Sequence, residues 1–134
     1  MEMDAPAYWN MLVRRSLTRF YLLAALAARP MHGYELARAV SDLCGGCCEP
    51  SDAVIYPALK ELSEGGYCTC DIETQGGRQR KVCTLTERGR AALRVGAEAW
   101  ADVLPSLEEA IAIARGHLAE EAPEAADCCA VSVE

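Results

Sequence analysis

Apolar positions recur at helical spacing over most of this chain, and one segment alternates instead. Ser16 to Ala28 predicts a helix, with Ser16 as its cap and Pro30 beyond its end. Trp9, Met11 and Leu12 predict a shorter leading helix within residues 1–13. His32-Gly33 reads as a turn. Tyr34 to Leu43 then predicts a helix with Leu36, Val40 and Leu43 on one face. Cys44-Gly45-Gly46-Cys47-Cys48-Glu49-Pro50 reads as a loop. From Ser51, a good cap, to Glu64 the pattern predicts a third helix. Ile55, Leu59 and Leu62 face the core there, opposite Asp52, Tyr56, Lys60 and Ser63.

The alternating segment lies at Tyr67 to Glu73 and Arg80 to Thr86, flanking Gln75-Gly76-Gly77. It predicts a β-hairpin. With the turn centred between the two glycines, Cys70 stands opposite Cys83, with side chains about 5 Å apart. Cys68 falls on the same face. A long helical stretch follows. In it Leu93, Ala97, Trp100, Leu104, Leu107, Ile111, Ala114 and Leu118 form a heptad seam. At Pro105 the helix is expected to kink or restart, since Ser106 to Glu109 resembles a capping box. The fold class expected is mainly α with a small β-hairpin: a winged helix-turn-helix domain plus a C-terminal dimerisation helix. Residues 1–90 form the first unit, 91–120 the dimerisation helix, and 121–134 a flexible acidic tail with a cysteine pair.

Composition changes this picture in two places. The 134 residues are 51% hydrophobic and 25% charged, ordinary for a soluble chain. The net charge of −7, taken alone, argues against a nucleic-acid partner. Residues 1–90, however, are balanced, with eleven basic and eleven acidic side chains; residues 91–134 hold two arginines against nine acids. Basic residues gather at Arg14, Arg15 and Arg19, and again at Arg78, Arg80, Lys81, Arg88 and Arg90. Local charge on a docking face outweighs the total. The longest apolar run, Tyr21 to Ala28, is too short for a membrane span, so a cytoplasmic chain with no membrane partner is expected.

The eight cysteines are the second departure: Cys44, Cys47, Cys48, Cys68, Cys70, Cys83, Cys128 and Cys129. In a reducing compartment their clustering points to metal binding or redox sensing. Cys44-x-x-Cys47-Cys48 sits in a loop between two helices, where thiols can converge on one soft ion. Cys68, Cys70 and Cys83 share a hairpin face. Cys128-Cys129 could reach either cluster from the tail. The candidate ligands are arsenic(III), mercury(II), cadmium(II) or lead(II), with no organic cofactor. Against this, buried cysteine often serves as a small hydrophobe, a reading that suits Cys68 and Cys83.

Three motifs carry a resemblance. Arg29-Pro30-Met31-His32-Gly33-Tyr34-Glu35-Leu36, then Ser51 through Leu62, then Gly77-Arg78-Gln79-Arg80-Lys81 with Leu85-Thr86-Glu87-Arg88-Gly89-Arg90 resemble, in order, three signatures of PadR-family regulators. The resemblance implies a dimeric transcriptional regulator, usually a repressor, whose last helix pairs subunits. The chain departs from the pattern at Gln79, where the family has a proline, and at Val82-Cys83, where it has aromatics.

The expected partners are an operator in double-stranded DNA and a second copy of the chain. The expected DNA contacts are Ser51, Asp52, Ala53, Tyr56 and Lys60 at the start and outer face of the third helix, and Arg78, Arg80 and Lys81 on the hairpin. The expected dimer contacts are Leu93, Ala97, Trp100, Leu104, Leu107 and Ile111. A thiophilic ion bound by the cysteines is expected to release the DNA. An aromatic ligand beside Trp100, or oxidation joining Cys70 to Cys83, stands as an alternative effector. A metal-thiolate storage protein is the alternative of another class. No arrangement of catalytic groups stands out, so no enzyme is expected.

Overall fold

The computed structural model describes residues 2–45 and 52–118. The elements are α1 (Pro6–Ala28), β1 (Met31–His32), α2 (Gly33–Leu43), α3 (Asp52–Glu64), β2 (Cys68–Gln75), β3 (Arg78–Leu85) and α4 (Glu87–Leu118). The mainly helical class with a small antiparallel sheet agrees with the expectation.

Two expectations about α1 fail together. There is no separate leading helix and no start at Ser16: α1 runs unbroken for 23 residues from Pro6. A proline is pre-set for the first turn of a helix and loses nothing there, because its missing N–H would be unpaired anyway. Ser16 lies mid-helix, and its hydroxyl donates to the Leu12 and Val13 carbonyls instead of capping. The far end is as expected: Arg29, before Pro30, is extended.

The sheet has the order β1-β3-β2. Strand β1 is the element not predicted; its two residues pair with β3 as Met31↔Cys83 and His32↔Val82. The hairpin register is the expected one, Cys70↔Cys83, with Gly76 and Gly77 both at positive φ in the turn.

The core forms where α1, α2, α3 and the sheet meet. Leu22, Leu36, Val40, Ile55, Cys68 and Cys83 are its largest fully enclosed side chains. Leu36 and Val40 carry the inner face of α2, but Leu43 is half exposed, so the apolar stripe there ends one turn early. In α3 the inner face is as predicted, Ile55, Leu59 and Leu62, joined by Ala58. Pro57 lies within the helix.

Helix α4 continues through Pro105. The restart does not occur: the Ser106 hydroxyl donates back to the Val103 carbonyl at 2.9 Å rather than capping a new helix. A proline deletes one backbone bond, and the flanking Ala, Leu and Glu residues favour helix strongly enough to absorb that loss.

The α4 start is held by Thr86, whose side-chain oxygen accepts from the Gly89 N–H at 3.1 Å and donates to the Gly66 carbonyl at 2.7 Å. At Gly89 the chain packs directly on the Tyr67 carbonyl and the Leu85 side chain. A Cβ there would overlap backbone, which cannot step aside. Gly89→Ala is expected to lower stability by about 1–3 kcal/mol, measured as a fall in the denaturation midpoint at unchanged slope.

Candidate nucleic-acid interface

Helix α3 and the hairpin stand on either side of one cleft of about 1130 Å3. Its walls come from the start of α2, the outer face of α3, and the hairpin. Tyr56 and Lys60 line it from α3; Arg78, Arg80 and Lys81 line it from the hairpin. Two acids, Glu35 and Glu64, share the walls, so cationic side chains prevail. Asp52 and Ala53 are exposed on the first turn of α3. Ser51 lies outside the described residues.

The sites predicted on α3 and β3 therefore border one space, but they are not equally free. Arg78 and Lys81 are exposed. Arg80 is half-buried, its Nη1 lying 2.9 Å from His32 Nε2. A guanidinium can only donate, so His32 Nε2 accepts there. Glu35 Oε1 lies at 3.4 Å from the same His32 nitrogen. The carboxylate cannot donate to it, so Arg80 is the donor at that nitrogen.

Glu35 is tied down at the start of α2. It accepts from the His32 backbone N–H at 3.2 Å, and Arg29 Nη2 approaches its other oxygen at 3.1 Å. These two bonds, the backbone one foremost, lower the Glu35 pKa below the usual glutamate value. Tyr56 is half exposed, with its ring laid against Gly33, where a Cβ would overlap it. Tyr34 also lines the cleft, largely exposed and stacked beside the His32 ring at 6.3 Å. Sequence reasoning left Tyr34 out of the site; an exposed aromatic next to a turn was the available signal.

The cysteines divide. Cys70 and Cys83 are joined as a disulfide across the hairpin, with Cα atoms 4.0 Å apart, and both border the cleft. Cys83 is 1% exposed; Cys70 is half-buried. Cys68 is a free thiol in the core, and burial raises its pKa. Cys44 is half-buried, and its sulfur donates to the Ser41 carbonyl at 3.3 Å. Cys47, Cys48, Cys128 and Cys129 lie outside the described residues. Among the described residues, no group of three or more His, Cys, Asp or Glu side chains is placed to hold a metal ion.

The α4 seam also divides. Leu93 packs against the core, and Trp100 lies beside Phe20 of α1 with ring centroids 6.5 Å apart. From there on the seam faces outward. Leu104 and Leu107 are 51% and 47% exposed, with Val103 and Ile113 similarly open, while Ala97 is exposed and Ile111 half-buried. Among the described residues, no helix is long and apolar enough to cross a membrane.

Comparison with known proteins agrees with this geometry. Residues 22–95 match the family model described as "Transcriptional regulator PadR-like family". The chain is 41% identical over 71 residues to the transcriptional regulator YqjI of Escherichia coli, an alignment covering 53% of this chain and 33% of that protein. It thus spans about a third of the length of the curated relatives it matches. Among solved structures, the transcriptional regulator TA0346 of Thermoplasma acidophilum aligns with a TM-score of 0.63 at 26% identity, covering 75% of this chain and 94% of that one. A PadR-family regulator of Eggerthella lenta aligns with a TM-score of 0.64 at 22% identity, over 80% of this chain and 97% of that one. Bacillus subtilis PadR, solved in complex with operator DNA, aligns with a TM-score of 0.53 at 26% identity, over 59% of this chain and 45% of that one. With helix α3 and a basic hairpin bordering one cleft, and a family match running from α1 into α4, the chain belongs to the PadR-like family of transcriptional regulators.

Proposed function

We propose that this protein is a homodimeric repressor that binds a two-fold operator through α3 and the hairpin, and that a thiophilic ion releases it. The observation that carries the DNA reading is the shared cleft: exposed Arg78 and Lys81 on one side, Tyr56 and Lys60 on the other. A duplex offers a major groove that admits a helix, with phosphates at its rim. Helix α3 suits the groove. The hairpin cations suit the adjacent backbone, and the operator complex of the Bacillus subtilis relative supports that assignment by analogy.

The outward half of the α4 seam supports the dimer. Leucines at 104 and 107 on a 32-residue helix leave an apolar face for a second copy to cover. Trp100 is occupied as an anchor between α1 and α4, which favours a packing role over a ligand platform.

For the effector, the supporting observation is that Cys70 and Cys83 border the same cleft as the hairpin cations. Once reduced, they offer two adjacent thiols, which favour arsenic(III) and mercury(II), with cadmium(II) and lead(II) as further candidates. An ion bridging them acts on the hairpin itself. To release DNA it must bind the free conformation better than the bound one. The test is a titration of the reduced, metal-free protein on its own upstream DNA under anaerobic conditions. Release near one ion per subunit, reversed by a chelating dithiol, is the expected result. Binding that none of the four ions disturbs would remove the ion from the mechanism and leave the repressor.

A further inference from the structure

We infer that Cys70 and Cys83 form a reversible dithiol–disulfide couple, in which Cys70 exchanges with small acidic disulfides and Cys83 closes the bond. The two residues differ in access although they face each other. Cys70 is half-buried at the cleft wall, whereas Cys83 is 1% exposed in the centre of the sheet, paired on its other side with Met31. Both border the cleft, but Cys70 is the more exposed residue, so a reagent there meets it first. Cys68, two residues from Cys70, is 1% exposed, and burial holds it in the unreactive thiol form. It is a bystander.

The cleft selects the reagent by charge. Lys60, Arg78, Arg80 and Lys81 line it against Glu35 and Glu64. That cationic excess draws in disulfides that carry carboxylates. The Cys70 thiolate attacks one sulfur of the small disulfide, forming a mixed disulfide and expelling one small thiolate. Cys83, losing its proton, attacks the Cys70 sulfur and expels the second. The two protein thiols are oxidised, the small disulfide is reduced to two thiols, and the protein's two protons pass to them. The reverse sequence begins with a small thiolate at Cys70. A closed pair has no thiolate left to offer a soft ion, so exchange would switch off the ion response. That consequence, unlike the couple itself, rests on the function proposed above.

The test uses the full chain, reduced and freed of reductant, treated with oxidised glutathione or with the cationic disulfide cystamine. Samples are acid-quenched over time and the adducts located by peptide mass spectrometry. The expected order is a mixed disulfide on Cys70, then a Cys70–Cys83 link. Glutathione should outpace cystamine several-fold at low ionic strength, after correction for each reagent's rate with free cysteine, and the advantage should shrink in salt. Cys83→Ser should accumulate the mixed disulfide on Cys70, and Cys70→Ser should leave Cys83 unmodified. First modification at Cys83 or Cys68, or failure of the Cys70–Cys83 link to form, would overturn the inference. Should either variant not fold, the order of native-state alkylation in the wild-type chain decides in the same way, with Cys70 labelled before Cys83. Operator DNA is expected to protect Cys70; exchange unaffected by bound DNA would count against the DNA face while leaving the couple intact.

Discussion

An Arg78→Ala/Lys81→Ala variant is expected to bind operator DNA at least about a hundredfold more weakly than the wild type, with its fold unchanged. Both side chains are exposed on β3 and border the cleft, so neither holds the core. A charge-assisted hydrogen bond to phosphate is worth about 1.5 kcal/mol or more, and two per subunit give about 3 kcal/mol. The salt dependence should soften too, by about 0.9 in log–log slope for each phosphate left without its cation. Anisotropy titrations at several salt concentrations measure both effects. Arg80→Ala acts differently, because Arg80 is bonded to His32. Its removal is expected to unseat the His32 ring and shift the hairpin as well as remove charge. An unchanged slope in the double variant would mean that the hairpin does not touch the backbone.

The second large effect is expected from Leu104→Asp/Leu107→Asp. Both leucines are about half exposed in the single subunit, so the change should cost the folded monomer within about 0.5 kcal/mol. In a dimer packed along this face it buries carboxylates against apolar surface, which is strongly unfavourable. Sedimentation should therefore show monomers where the wild type gives dimers. Operator affinity should fall by about 10²–10⁴-fold, because two linked reading heads gain that much from effective concentration. A variant that still dimerises would move the subunit contact elsewhere, for example to α1, which carries a half-exposed Trp9.

How far the sequence spoke for itself depends on the range of the interactions involved. The hairpin register was readable from Gly76-Gly77, because a two-residue turn with positive φ at both positions leaves one pairing, and Cys70 opposite Cys83 follows from it. The inner face of α3 was readable from spacing alone. Strand β1 was not, since two residues carry no alternation and exist as a strand only because β3 lies beside them. The start of α1 was misplaced because Ser16 has the chemistry of a cap. A hydroxyl bonding back to the preceding turn satisfies itself equally well mid-helix. The restart at Pro105 fails for a related reason: one missing N–H does not end a helix whose neighbours favour it.

In the candidate site, the basic hairpin and the outer face of α3 were legible because family motifs and local charge coincide there. The tie between Arg80 and His32, 48 residues apart, was not. Nor was the division of the α4 seam, where Trp100 turns inward to Phe20 while Leu104 and Leu107 turn out. A heptad pattern marks an apolar stripe without saying which partner covers each part of it. The cysteines show the same limit. Register placed Cys70 and Cys83 together, but only the packing separates a partly exposed cysteine from an enclosed one.

The central claim is that α3 and the hairpin read a specific operator as a dimer. The most direct measurement is the anisotropy of reduced wild-type protein on its own upstream DNA, beside a scrambled duplex of equal length, at physiological salt. The expected result is saturation at two subunits per site, at least about 10³-fold tighter on the upstream sequence than on the scrambled one. Equal affinity for the two duplexes would contradict it.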